Sequence, residues 1–167
     1  MSELRPVRFQ QHLESIFEEY HTHQKIYGYS ADFFIKPDNQ FDFSVQLSNK
    51  NAATPLGPAA GPHTQLAQNI LLSWLHGSRI IELKTIQVLD DLEIPRPCID
   101  MRNVGYNVEW SQELSLEESF KEYAYAWTLI HLLPYLDIFD CPADSPFYNT
   151  IFDMSIDRSE SRQRRIL

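Results

Sequence analysis

Cysteine is scarce: Cys98 and Cys141 stand far apart with no C-x-x-C spacing, so a cysteine-only metal centre or iron–sulfur cluster cannot form within one chain. Both are expected to be reduced thiols. Long apolar runs are missing too. No stretch approaches the roughly 20 apolar residues of a membrane helix, and Met1-Ser2-Glu3-Leu4-Arg5 opens no signal-peptide core. The expectation is a cytoplasmic protein with no membrane span. Positive charge is short, with 14 Lys and Arg against 23 Asp and Glu and a formal net charge of −9. Binding to phosphate-rich partners rests mainly on cationic side chains, so nucleic acid and anionic membranes are excluded as expected partners. Neither a G-x-G-x-x-G loop nor a G-x-S-x-G elbow occurs, and neither cysteine has a histidine near it in sequence. No catalytic residue is assigned. What the 167 residues do hold is 43% hydrophobic and 13% aromatic content, enough for one domain with a real core.

Periodicity organises the chain. Phe9, Leu13, Ile16, Phe17 and Tyr20 recur at steps of three and four, predicting an amphipathic helix over about Pro6 to His23, with Gly28 ending that region. Phe41, Phe43, Val45 and Leu47 alternate with polar residues as in a half-buried strand, and Ser48-Asn49-Lys50-Asn51 then turns the chain into a hairpin. Leu56 to Ala60 reads as a short small-residue strand, followed by a helical run with Leu66, Ile70, Leu71, Trp74 and Leu75. Gly77 sits where a left-handed cap belongs. Arg79 to Thr85 is a second strand, at a spacing that suits a βαβ crossover and parallel pairing. After a long connection, Asp90 to Glu113, Ser115-Leu116-Glu117-Glu118 opens a helix with Phe120, Tyr123, Trp127 and Ile130 on one face, and Pro134 ends or kinks it. A third strand follows at Thr150 to Ile156. This βαβ, loop, α, β order belongs to α/β folds, an open sheet or a barrel.

Three places carry candidate chemistry, each with an ordinary alternative. At Thr54 to Gly61 the side chains shrink towards the C-terminal end of a strand, where parallel α/β folds bind ligands. Ala59, Ala60 and Gly61 would let backbone groups meet a flat ligand directly. The same composition suits a strand packed tightly under a helix. Lys84 and Thr85 end the second strand, where an ammonium could meet an electron-rich ring edge; a lone lysine there is more often simply exposed. Asn107 lies in the long loop, and its amide could read a ring that alternates donors and acceptors, or merely form a turn. The H-x-H pair His21 and His23 does not share a helix face, so no metal is assigned. His63 could cap the helix after Pro62, while His76 and His131 read as helix-surface positions.

Taken in order, ATPLGPAAG at Ala53 to Gly61, GSRIIELKT at Gly77 to Thr85, PRPCID at Pro95 to Asp100 and YNVEW at Tyr106 to Trp110 resemble the dihydroorotate dehydrogenase-type flavin barrels. The wording AAGPHTQLAQNI with IELKT and PCID is most similar to the selenate reductase subunits of bacteria, large relatives of dihydropyrimidine dehydrogenase. The resemblance covers about Pro6 to Ser155. It implies an α/β fold, a partial (β/α)8 TIM barrel of about three strands, with an N-terminal helix and a hairpin, Phe41 to Ala53, that plugs the barrel. It divides the chain into an N-terminal helical extension (1–40), the barrel part (41–156) and a divergent tail (157–167). It also implies FMN as the cofactor of the complete barrel, held by Ala59, Ala60, Gly61, Lys84 and Thr85, with Lys84 and Asn107 near the substrate. Met154 and Ser155 match the end of the third strand.

The family's catalytic base, a Cys or Ser on a later loop, has no counterpart here, and Cys98 and Cys141 do not match it. A phosphate site near strands seven and eight is likewise absent. Iron–sulfur clusters, FAD and NAD(P)H belong to modules of the large relatives beyond this chain. The expectation is therefore an N-terminal fragment of an FMN-dependent oxidoreductase, ended by an early stop or frameshift, inactive and without bound cofactor when alone. The alternative is an assembly module that completes a composite barrel with another chain. A small free-standing α/β domain is the third reading. An incomplete sheet also implies self-association through unpaired strand edges.

Overall fold

In a computed structural model, residues 4–38, 40–87, 99–100, 106–107 and 114–157 are described. The chain begins with helix α1, Phe9–His23, which ends where Gln24 turns left-handed at φ 54°. Two short strands, β1 (Lys25–Ile26) and β2 (Tyr29–Ser30), pair antiparallel around Tyr27 (φ 50°) and Gly28 (φ 80°). Two positive φ angles make this the tight hairpin turn whose twist matches its strands.

The expected second hairpin is shorter than its alternation suggests. Strand β3, Val45–Leu47, pairs with β4, Lys50–Ala52, whereas Phe41 and Phe43 lie before it, exposed and tilted against each other at 6.0 Å. Alternation marks an extended chain, but pairing needs a partner strand, and β4 supplies only three residues. Ala53 N–H donates to Asn149 O at 3.0 Å, so the hairpin lies against the N-terminal end of the last strand.

Helix α2, Ala67–Leu75, buries Ile70, Leu71, Trp74 and Leu75, and Gly77 follows its cap at φ 107°. Strand β5, Ile80–Gln87, is the centre of the sheet. On one side it pairs in parallel with β8, Ile151–Asp157, with Ile80 opposite Ile151 and Leu83 opposite Met154. On the other side Arg79 and Ile80 N–H donate to Leu56 O (2.9 and 3.0 Å), and Glu82 N–H donates to Pro58 O (3.3 Å). The small-residue segment thus runs parallel to β5, yet the ladder is one-sided, because Pro58 has no N–H to return. Gly57 lets the two backbones close: a β-carbon there would stand 1.4 Å from Ile80 O. Strands β6 (Ile99–Asp100) and β7 (Tyr106–Asn107) form a separate antiparallel pair.

Helix α3, Leu116–Leu132, opens on the expected capping box: Ser115 Oγ accepts from Glu118 N–H and the Glu118 carboxylate accepts from Ser115 N–H. A single-turn helix containing Pro134 follows it. Its inward face is rotated from the expected one. Ser119, Glu122, Tyr123, Ala126, Leu129 and Ile130 are buried, while Phe120 is 69% and Trp127 46% exposed. Ile81 and Leu83 of β5 join α1, α2 and α3 in one apolar core, which leaves Ile80, Glu82 and Lys84 on the opposite face of the strand. Among the described residues the sheet does not close into a barrel. Strand β8 runs to Asp157, one residue past the expected end of the third strand at Ile156; residues 158–167 and Cys98 lie outside the described residues.

Arg79 locks the N-terminal end of β5. Its side chain, 0% exposed, donates to Phe147 O, Trp74 O and Ser78 O, and its guanidinium lies 3.7 Å over the Trp74 ring and 4.6 Å over Phe147. Burial lowers its pKa. Three carbonyls and two aromatic faces compensate the lost water, so the group stays charged.

Candidate functional site

The segment of residues 56–58 ends beside the middle of β5, and Lys84 and Thr85 do not end their strand as expected, because β5 continues to Gln87 and its partner β8 to Asp157. Ala59 and Ala60 are exposed, and Gly61 is buried. The backbone of this step is partly committed. Ala60 N–H donates to Glu82 Oε2 at 2.9 Å. Gly61 N–H donates to Thr64 Oγ1 at 3.2 Å, and Gly61 O accepts from both the Thr64 hydroxyl (3.0 Å) and its N–H (2.9 Å). What faces outward is the small apolar surface of Ala59 and Ala60.

Lys84 stands two residues after Glu82 on the same strand face. The register of β5 against β8 slips by one residue between Leu83 and Ile86, which places Lys84 and Thr85 in a β-bulge. Bulges re-aim side chains and are common beside active sites. The Lys84 carbonyl, released from regular pairing, accepts from the Tyr123 hydroxyl of α3 at 2.8 Å. Its ammonium is half-buried, and burial moves its pKa below the ordinary 10.5. Burial of a cation without a nearby anion disfavours its charge, so an anionic or electron-rich ligand placed here would be held more firmly than at an exposed lysine. Asn107 lies in β7 opposite Ile99; its side chain is outside the described residues.

The structure therefore places Ala59 and Ala60 just past the 56–58 segment and Lys84 and Thr85 within the second half of β5, with Gly61 turned into the supporting loop. His63 is exposed in a single-turn helix, Pro62–Gln65, and does not cap α2. That role falls to Glu122 of α3, whose Oε2 accepts from Ala67 N–H at 2.7 Å. His21, His23, His76 and His131 are exposed, and among the described residues no group of three or more metal-ligating side chains exists. Cys141 is a free thiol. No described helix is long and apolar enough to cross a membrane. Two supporting carboxylates escaped the sequence reading. Glu82 was legible as the polar member of Ile80-Ile81-Glu82-Leu83 that shares a strand face with Lys84. No local signal marked Glu122, because the buried face of α3 that carries it is set by packing.

Comparison with known proteins identifies the family of the chain. Residues 27–158 match the family described as "Oxidoreductase YgfK, N-terminal TIM-barrel domain". Two curated proteins, each named "Putative oxidoreductase YgfK", from Escherichia coli strain K12 and from Escherichia coli O157:H7, are 45% identical to the chain over 153 residues. The matched part is 92% of this chain and 14% of each relative's length. No solved structure matches. With most of its length inside one family's N-terminal domain and nearly all of it alignable at 45% identity, the chain belongs to the YgfK N-terminal TIM-barrel family of oxidoreductases.

Proposed function

We propose that this chain forms one wall of an FMN-dependent oxidoreductase barrel of the selenate reductase and dihydropyrimidine dehydrogenase kind. The observation that carries the reading is the exposed Ala59-Ala60 step beside the bulged, half-buried Lys84 in the second half of the parallel strand β5. When bound, the flavin would supply the two-electron chemistry. The chain's own residues would seat and orient it. Ala59 and Ala60 leave room for a planar ring, because their side chains end at Cβ. Lys84 would place a positive charge at the ring edge or at an anionic substrate group, with Thr85 beside it. Gly61 serves mainly by allowing the turn, since its polar groups are used within it. Asn107 is proposed for the substrate or flavin edge on the family resemblance. Iron–sulfur clusters, FAD and NAD(P)H would be bound by other segments of the longer relatives.

A second reading, an assembly module within a composite barrel, draws on β8, which among the described residues pairs only with β5 and so has an open edge. The two readings are compatible if the completing strands come from a longer polypeptide or another chain.

Titration of the purified chain with FMN, followed by flavin fluorescence, tests the placement. One wall with no phosphate cradle should give weak binding, a dissociation constant of roughly 0.1 mM or higher, which is about 5 kcal/mol or less. Lys84→Ala and Ala60→Phe should each remove the signal. Equal titrations for all three proteins would contradict the placement, and stoichiometric flavin on the purified chain would contradict the single-wall reading.

A further inference from the structure

Beneath the Ala59 to Gly61 step lies a buried polar cluster that the flavin reading does not use. Helix α2 starts after Leu66, which offers no side-chain cap. The cap comes from 55 residues downstream, where Glu122 Oε2 accepts from Ala67 N–H. Glu122 is 1% exposed, and its other oxygen, Oε1, has no partner among the described residues. One turn earlier on the same helix face, Ser119 Oγ is also buried without a partner, as is His12 Nε2 on α1. The opposite nitrogen of that ring, His12 Nδ1, shares a hydrogen bond of 2.6 Å with the Tyr27 hydroxyl. Tyr27 itself is held at a positive φ of 50°, an unusual conformation for an aromatic residue that persists only where surroundings fix it. Here the His12 bond and the tie from Gly28 N–H to Glu19 Oε2, 2.8 Å, hold its turn to α1.

We propose that Glu122 is a positioning residue whose proton sets how firmly the 61–66 turn is held. The carboxyl joins α3 to the first peptide of α2, and that turn is the only covalent link between α2 and the Ala59-Ala60-Gly61 step. A buried carboxyl with one oxygen unpaired is more costly ionised than neutral. The groups that face it are few: the positive end of α2 at Ala67, Tyr27 with His12 and Glu19 behind it, and Glu118 on α3. Burial raises the Glu122 pKa above its ordinary 4.5, the Ala67 N–H opposes that rise, and Glu118 adds to it. Burial lowers His12 below its ordinary 6.5, which favours the neutral ring. Ionisation strengthens the single bond to Ala67 N–H but leaves a charged group buried with its second oxygen unpaired, and burial is the larger effect, so the neutral carboxyl holds the turn more firmly.

The sign follows from linkage. A carboxyl whose folded pKa is raised contributes stability that is complete below pH 4.5 and is lost as pH rises through the folded value. His12, shifted the other way, contributes stability present above pH 6.5 and lost as pH falls through its folded value. The inference deepens the flavin reading by naming what positions the step, but it concerns the turn whatever ligand the step takes.

Hydrogen–deuterium exchange read by mass spectrometry on the 167-residue chain tests it, at pH 5.5 and pH 8, with rates corrected for the intrinsic effect of pH. Peptides spanning 60–68 should exchange faster at pH 8 than at pH 5.5. Peptides from β5 should show no such change. Glu122→Gln keeps an acceptor for Ala67 without a charge, so it should hold the turn equally at both pH values, and Glu122→Ala should loosen it at both. A pH difference that persists in Glu122→Gln overturns the proposal, as does protection of 60–68 that is unchanged in Glu122→Ala. If Glu122→Ala does not fold, Glu122→Gln alone still decides. Flavin titration plays no part in this readout, so the turn and the flavin placement fail separately.

Discussion

Gly57 and Gly28 separate two reasons for having no side chain. At Gly57 the backbone is not left-handed, but a β-carbon would stand 1.4 Å from Ile80 O. At Gly28 nothing lies within 4 Å, yet φ is +80°. Gly57→Ala should therefore cost more, about 3 kcal/mol, by forcing residues 56–58 off β5, whereas Gly28→Ala should cost about 1 kcal/mol from backbone strain alone. Chemical denaturation of both variants checks this, and equal losses would mean that the 56–58 segment is not seated on β5. Close approach of this kind also decides what the candidate site can offer. The carbonyls of Leu56 and Pro58 are used by β5, Ala60 N–H is used by Glu82, and the exposed surface left for a ligand is that of Ala59 and Ala60.

The elements that could be read from sequence are those whose signals are local. Helix α3 begins where Ser115 and Glu118 form their reciprocal box, and α2 ends two residues before Gly77, which takes a positive φ. Because the Ser115 cap makes its bonds within one turn, Ser115→Ala should lower stability by about 1 kcal/mol, seen as a lower denaturation midpoint with an unchanged slope; no change would mean that the helix is started by tertiary packing. What escaped the sequence depends on distant partners. Phe41 and Phe43 alternate like strand residues but have no strand opposite them. Phe120 and Trp127 fit a helical stripe, yet the face of α3 is chosen by contact with α2 and β5, which turns Glu122 inward. The Glu122 to Ala67 bond spans 55 residues, and no spacing rule reaches that far. At the site, the exposed step of Ala59 and Ala60 and the place of Lys84 on a parallel strand were legible from the small-residue run and the β-rich run, whereas the extension of β5 past Lys84 to Gln87 was not. The bulge at Lys84, the tie from Tyr123 to its carbonyl and the use of Glu82 beneath Ala60 were not.

For the molecule as a whole, β5 and β8 share one apolar core with α1, α2 and α3, while the other face of β5 carries Ile80, Glu82 and Lys84 and, among the described residues, the outer edge of β8 is open. A face with a carboxylate and an ammonium and an open strand edge suits further barrel strands, and the relatives in this family are about seven times as long as the part they share with this chain. The central claim is that this chain is a working wall of such a barrel, with Lys84 at the flavin. The most direct measurement replaces the matching segment of the Escherichia coli relative with residues of this chain and determines the flavin content of the purified chimera by absorbance. The account predicts close to one FMN per chimera and little or none when the chimera carries Lys84→Ala. A flavin-free chimera whose unmodified parent holds FMN, or full flavin retention in the Lys84→Ala form, would contradict it.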